Sequence, residues 1–286
     1  MRAYFEGWYF KQQNDTTALA FIPSLHIDKA GNRSALLQVV TPKAAYHISY
    51  PAEQLSLQRH RPYLQIDKCS FSPHGIELDI EQPQLSVHGR LSYTHLVPLA
   101  YDIMGPFHWV PGMECRHSVA SLSHRVDGQI SVNGCQYCFN NGRGYIEGDR
   151  GCSFPSQYAW THWSWQNNSL MLSEAVIPFA GMHFRGVIAA ILLNGRQYRL
   201  ATYLGARLQQ AAEGEIIIKQ GAYTLSARLL HKQELALPAP QGGVMERSIK
   251  ESLCCQAAYC LKKNGVTLLD IESPLASFEY EHGKGY

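Results

Sequence analysis

Three Asn-Gly pairs, Asn133-Gly134, Asn194-Gly195 and Asn264-Gly265, each stand between two segments rich in β-branched and aromatic residues. Asn-Gly accepts the positive φ angles of a type I′ turn, the tightest link between antiparallel strands. Each pair therefore predicts a hairpin tip, most clearly in QISVNGCQYCF and AAILLNGRQYRLATY, while LHIDKAGNRSALLQVV predicts a hairpin with a longer loop. The remaining chain follows the same pattern of short strands and turn signals. SIKESLCCQAAYCLKK opens with a helix-like capping box, Ser248 and Glu251. It runs on into β-rich AYCLKKNGVTLLDI, so we read it as strand.

A faint internal repeat organises these hairpins. WYFKQQNDTTALAFIP near the start resembles WSWQNNSLMLSEAVIP, with Gln12 matching Gln166 and Pro23 matching Pro178. Each copy has an aromatic strand, a polar turn and a second strand ending in Ile-Pro. Two β units of similar size follow, over residues 1–152 and 153–286. The expected fold class is all-β, with two tandem antiparallel β-barrel or sandwich domains, each of a size that can hold one apolar ligand.

Composition excludes several classes. The chain has 286 residues, 45% of them apolar and 17% charged, as a packed globular protein does. The net charge is +2 with no basic stripe, so no nucleic-acid partner is expected. The longest apolar run, Val187–Leu193, is far too short for a membrane helix. Aromatics and Glu6 occupy the place where a signal peptide would carry its apolar region, and a cytoplasmic location is the expectation. The eight cysteines then read as small buried hydrophobes; Cys135 and Cys138 point to opposite faces of a strand, and no metal site is expected.

The opening RAYFEGWYFK places Tyr4, Glu6, Trp8 and Phe10 on one strand face, and Phe5, Gly7 and Tyr9 on the other. Neither face looks wet, so Glu6 must be paired, protonated or exposed at a sheet end. The densest polar cluster lies mid-chain. GPFHWVPGMECRHSVASLSH holds His108, Trp109, Glu114, His117 and His124, and GRGYIEGDRGCSFP puts Tyr145, Glu147 and Asp149 on one strand face. Nearby carboxyl groups raise each other's pKa, and burial raises it further, so one can remain neutral and serve as an acid. The alternative is a loop whose carboxylates pair with Arg143 or Arg150. No nucleotide-binding or hydrolase motif is present.

YFEGWYFK at 4–11, MECRHSVASLSH at 113–124, GYIEGDRGCSFP at 144–155 and APQGGVMERSIKESLCC near the C-terminus together resemble the tocopherol cyclase-like family. The resemblance implies a two-domain, lipocalin-like β architecture similar to that of hydroxyneurosporene synthase-like proteins. It implies cyclisation of a prenylated hydroquinone to a chromanol, a redox-neutral reaction without organic cofactor. The partner would be a hydrophobic small molecule or prenylated quinol, with at most transient contact with a membrane surface. Such chemistry needs an acid able to protonate an alkene in a dry site, a group to take the phenol proton, and aromatic walls around the cation. By residue type, Glu6, Glu147 and Asp149 are candidates for the acid, and His108, Glu114 and His117 for the base. Trp8, Trp109, Tyr145 and Phe154 are candidates for the ligand-binding wall. Arg150 stands where the family pattern has tryptophan, and Arg116 where a small polar residue is usual; Arg150 could pair with Asp149 and spoil it as an acid. A hydratase shares the protonation step, and a non-catalytic lipocalin-like carrier needs only the cavity.

Overall fold

Side chains alternate across a strand, and that parity decides what each sheet face carries. The computed structural model describes residues 3–179, 181–212, 214–232 and 234–281, and among them every element longer than five residues is a β-strand. Contacts divide the chain into two units. The first takes Met1–Ala100, His117–Ser153 and Ala239–Arg247; the second takes Tyr101–Arg116, Phe154–Pro238 and Ser248–Tyr286. Two short segments, 101–116 and 239–247, thus group with the unit that is remote in sequence.

One sheet contains β1 (Tyr4–Gln13), β2 (Ala18–Ile27), β3 (Arg33–Val40), β4 (Ala45–Pro51), β5 (Leu55–Leu57), β6 (Leu64–Ile66), β7 (Cys69–Ser72), β8 (Gly75–Gln82), β9 (Leu85–Thr94), β10 (Cys115–Val132) and β11 (Cys135–Gly151). Its strand order is β4-β3-β2-β1-β11-β10-β9-β8-β7-β6-β5. The other contains β12 (Tyr158–Trp165), β13 (Asn168–Phe179), β14 (Met182–Leu193), β15 (Arg196–Ala201), β16 (Arg207–Ala212), β17 (Glu215–Gln220), β18 (Tyr223–His231), β19 (Leu235–Gln241), β20 (Val244–Lys263) and β21 (Val266–Glu281). Its order is β15-β14-β13-β12-β21-β20-β18-β17-β16, with β19 on β20. The two orders correspond: in each sheet the first strand lies between the second and the last. The repeat seen in the sequence falls on matching positions, β1–β2 and β12–β13. Both sheets have open ends, so the units are all-β but are not closed barrels.

The hairpin tips obey their turn chemistry. Asn133, Asn194 and Asn264 have φ of 48°, 51° and 49°, and the glycine after each is also left-handed. The capping-box segment is strand β20, because its apolar residues alternate: Ile249, Leu253, Cys255, Ala257, Tyr259 and Leu261 are buried. Tertiary burial overrides the local helix signal there.

In the first unit, Trp8, Phe10, Leu19, Phe21, Leu37, Val39 and Ile146 join residues from β6–β10 in one apolar core. Burying each large apolar side chain contributes about 1.5–3 kcal/mol. Two glycines of β11 make room for this packing. A Cβ on Gly148 would lie 2.6 Å from the Trp8 ring, and one on Gly144 would lie 2.0 Å from His124 Nε2. Tyr93 completes that corner, with its ring centroid 4.5 Å from that of His124 and its hydroxyl 2.7 Å from Gln12 Nε2. Burial lowers His124 to about 3, so it packs as a neutral ring. Gly144→Ala should therefore lower stability by about 1–3 kcal/mol through overpacking, read as an earlier urea midpoint at unchanged slope.

Candidate functional site

The register of β1 against β11 sorts the acidic candidates onto two faces. Glu6 is opposite Arg150, Trp8 opposite Gly148 and Phe10 opposite Ile146, all on the core face. Gly7 is opposite Asp149, Tyr9 opposite Glu147 and Lys11 opposite Tyr145, on the outer face. The sheet therefore separates Glu6 from Glu147 and Asp149, which sequence parity alone could not reveal.

Glu6 is 1% exposed and is paired. It accepts a 2.6 Å hydrogen bond from the Tyr4 hydroxyl and a 2.5 Å bond from the His60 backbone N–H. His60 holds a left-handed φ of 64° where it donates. Burial, with the bond to Glu6, raises Tyr4 well above an ordinary phenol, so Tyr4 remains a donor. Trp8 packs in the core beside Gly148.

The outer face brings together four of the predicted residues. His117 on β10 stands between two carboxylates of β11: Nδ1 is 3.0 Å from Asp149 Oδ1, and Nε2 is 3.2 Å from Glu147 Oε2. The first is a hydrogen bond; the second is too poorly aligned for one and acts as a charge contact. The Tyr145 hydroxyl donates to Glu147 Oε2 at 2.6 Å. Side-chain exposure is 12% for His117 and 8% for Glu147, but 25% for Asp149, so the row opens at the Asp149 end. Lys11, next to Tyr145 by register, is buried at the other end. Burial is the largest influence on His117 and disfavours its cation. The charges of Asp149 and Glu147, with the hydrogen bond to Asp149, outweigh it and raise His117 to about 10. Burial also holds Tyr145 well above the phenol range. With both imidazole nitrogens facing carboxylates, His117 has no lone pair for a metal.

Arg150 does not take the role expected of it. It lies on the core face and donates from Nη1 to Ser118 Oγ at 3.0 Å, while Asp149 takes His117. Arg116 donates to the carbonyls of His108 and Val110, pinning a loop. His108, Trp109 and Glu114 belong to the second unit, as does Phe154, whose ring meets Tyr158 edge-on at 6.0 Å. His108 Nδ1 is 2.9 Å from Asp102 Oδ2, and Trp109, in a 3₁₀ turn over Gly105–Trp109, is 81% exposed.

Sequence reasoning passed over Ser24 and His26. Both are buried, on the outer face of β2 beside β1, with Ser24 Oγ 2.8 Å from His26 Nε2. Ser-x-His in a strand was a legible signal; its placement beside Gly7 was not.

This fold is shared with solved structures. A protein of Nitrosomonas europaea provisionally described as AttH matches with a TM-score of 0.55 at 10% identity, over 98% of this chain and 92% of that one. Kievitone hydratase from Nectria haematococca matches with a TM-score of 0.52 at 12% identity, over 98% and 89%. At such identities the likeness concerns the fold alone. No protein-family model and no curated protein matches the sequence. Among the described residues no helix is long and apolar enough to cross a membrane.

The His117 arrangement carries a pH signature. Its folded pKa is raised above the ordinary 6.5. Its stabilisation is therefore fully present below pH 6.5 and is lost as pH rises towards about 10. Urea midpoints should fall across that window, on the order of a few kcal/mol in total, and His117→Gln should flatten the slope.

Proposed function

We propose that this protein is a lipocalin-like enzyme that adds a proton to a carbon–carbon double bond of an isoprenoid lipid, with ring closure by a hydroxyl group of the same molecule. This is tocopherol cyclase-like chemistry on a prenylated hydroquinone. The observation that carries the reading is the relay Tyr145–Glu147–His117–Asp149, buried at one end and open at Asp149.

The proton balance suits one relay. The alkene carbon gains one proton, the attacking hydroxyl loses one as the C–O bond forms, and nothing is oxidised. Asp149 is the group that meets the substrate. Asp149 takes up a proton through its open end, gives it to the alkene carbon and receives the hydroxyl proton as the C–O bond forms, while His117 keeps its own proton on Nδ1 and orients the Asp149 carboxyl group. Glu147 holds the far side of the imidazolium, and Tyr145 fixes the carboxylate that holds it. Two carboxylates beside one imidazolium favour recovery of the hydroxyl proton. Glu6, bound by two donors on the opposite face, has no part in this relay and acts as an anchor for the loop at His60.

The resemblance of four sequence segments to the cyclase-like family supports the cyclase form. Similarity to a fold that includes a hydratase supports proton-initiated addition more broadly, with water as the alternative nucleophile. Incubation with a geranylgeranylated hydroquinone, followed by mass-resolved chromatography, distinguishes these outcomes. The expected product has the mass of the substrate and a chromanol spectrum; a product heavier by one water would show a hydratase. Asp149→Asn should lower kcat at least 100-fold with the melting temperature within a few degrees of wild type, and Tyr145→Phe should lower it about tenfold. Binding without any turnover by the wild type would contradict the enzymatic reading and leave a carrier.

A further inference from the structure

A sheet edge offers its backbone N–H and C=O groups to any strand that reaches it, so folded proteins blunt their edges with charge, proline, bulges or brevity. Most edges of this chain are blunted in those ways. β5 has only three residues. β15 carries Arg196 and Arg199, β19 carries Pro238 and Pro240, and β16 is broken by a bulge between Leu208 and Gln210. β4 is the exception. Its sequence, AYHISYP, holds no lysine, arginine or carboxylate and no proline before its last residue, and its pairing with β3 runs without a bulge.

The phase of the β3–β4 ladder decides which residues face outward. Thr41 N–H donates to the Ala44 carbonyl at 2.8 Å, which closes the hairpin with a hydrogen-bonded pair. Hydrogen-bonded and non-bonded pairs alternate from there. With Val40 opposite Ala45 and Gln38 opposite His47, the residues that bond to β3 are Tyr46, Ile48 and Tyr50. Ala45, His47, Ser49 and Pro51 turn their backbone groups away from it. Pro51, which has no N–H, thus stands where the ladder loses nothing. Among the described residues, nothing else bonds to the backbone of His47 or Ser49. Both side chains are exposed. A cleft of about 440 Å³ lies against this edge, lined by residues 45–49 and by the β8–β9 turn at 82–85.

The edge sequence says which strand fits it. Tyr46-His47-Ile48-Ser49-Tyr50 is close to symmetric about Ile48. Two such strands, antiparallel with Ile48 on a two-fold axis, put Tyr46 of one copy opposite Tyr50 of the other, and His47 opposite Ser49. Each His47–Ser49 pair then exchanges both backbone hydrogen bonds, with imidazole beside hydroxyl, and Ala45 N–H meets the Pro51 carbonyl. No like charges face each other. We infer that β4 is a self-association edge, through which two copies of this chain join their first units into one continuous sheet about an axis at Ile48. The pairing is isologous, as a closed dimer requires. β4 and the turn supply roughly a dozen residues a side, about half of a standard interface, so the dimer is weak, with a dissociation constant on the order of 10–100 μM.

Charge swaps at the two exposed positions test both the dimer and its register. Sedimentation velocity of the full chain across a concentration series should show a monomer passing to a dimer. The double variant His47→Glu with Ser49→Glu sets carboxylates opposite each other twice and should weaken association at least tenfold. His47→Lys with Ser49→Glu sets lysine opposite glutamate twice and should restore it to wild-type strength or better. Circular dichroism and melting temperature report whether each variant is folded. If the double glutamate variant fails to fold, His47→Lys with Ser49→Lys makes the same test with the opposite sign. A wild type that stays monomeric at several hundred micromolar overturns the inference. So does a dimer indifferent to like charges at both positions, which would lie on another surface, or a loss that the opposite-charge variant does not repair.

Discussion

A single imidazole between two carboxylates governs the chemistry available to the first unit. His117 reaches from β10 to both Asp149 and Glu147 of β11. Burial alone would leave the histidine neutral, as it does His26, lowered to about 4, and His124. The two anions reverse that outcome. The result is an extra proton held at a buried position, one hydrogen bond from a carboxylate that reaches water. Remove the imidazole and two anions are left side by side, Glu147 buried and Asp149 partly exposed; remove the anions and the histidine becomes another neutral buried ring.

The sheet makes this arrangement specific. Parity puts Tyr145, Glu147 and Asp149 in a line, and the antiparallel partner β1 supplies Lys11, Tyr9 and Gly7 in the same line. The opposite face of the same two strands is a packed core. Trp8 and His124 occupy the space left by Gly148 and Gly144 there. One pair of strands thus carries an apolar core on one face and a largely buried polar row on the other, and glycines on both faces admit close neighbours. Those of β11 let large rings approach the backbone; Gly7 of β1 lets Ser24 of β2 come close.

Much of this was legible in the sequence, and the rest was hidden for physical reasons. The Asn-Gly tips, the all-β class, the repeat and the Tyr145–Glu147–Asp149 stripe all depend on local chemistry or on a period of two, which a sequence displays. Register between strands remote in sequence is not displayed. That is why Glu6 could be grouped with Glu147 and Asp149, although the sheet lies between them. It is also why Arg150 could be matched to its neighbour Asp149: adjacent strand residues point to opposite faces, and the partner comes from β10. His108, Glu114 and His117 formed one cluster by proximity in the chain, but a division between units falls at residues 116 and 117. Ser24 and His26 drew no notice because only the pairing of β2 with β1 places Ser24 across from Gly7 and His26 across from Phe5.

The protonation state of His117 can be observed directly. In protein labelled with ¹⁵N at histidine, its ring nitrogens report charge by their shifts as pH is varied, with Asp149→Asn for assignment. The account predicts an imidazolium that persists through neutral pH and titrates near 10. A His117 that is neutral at pH 7.5 in the folded protein would contradict it.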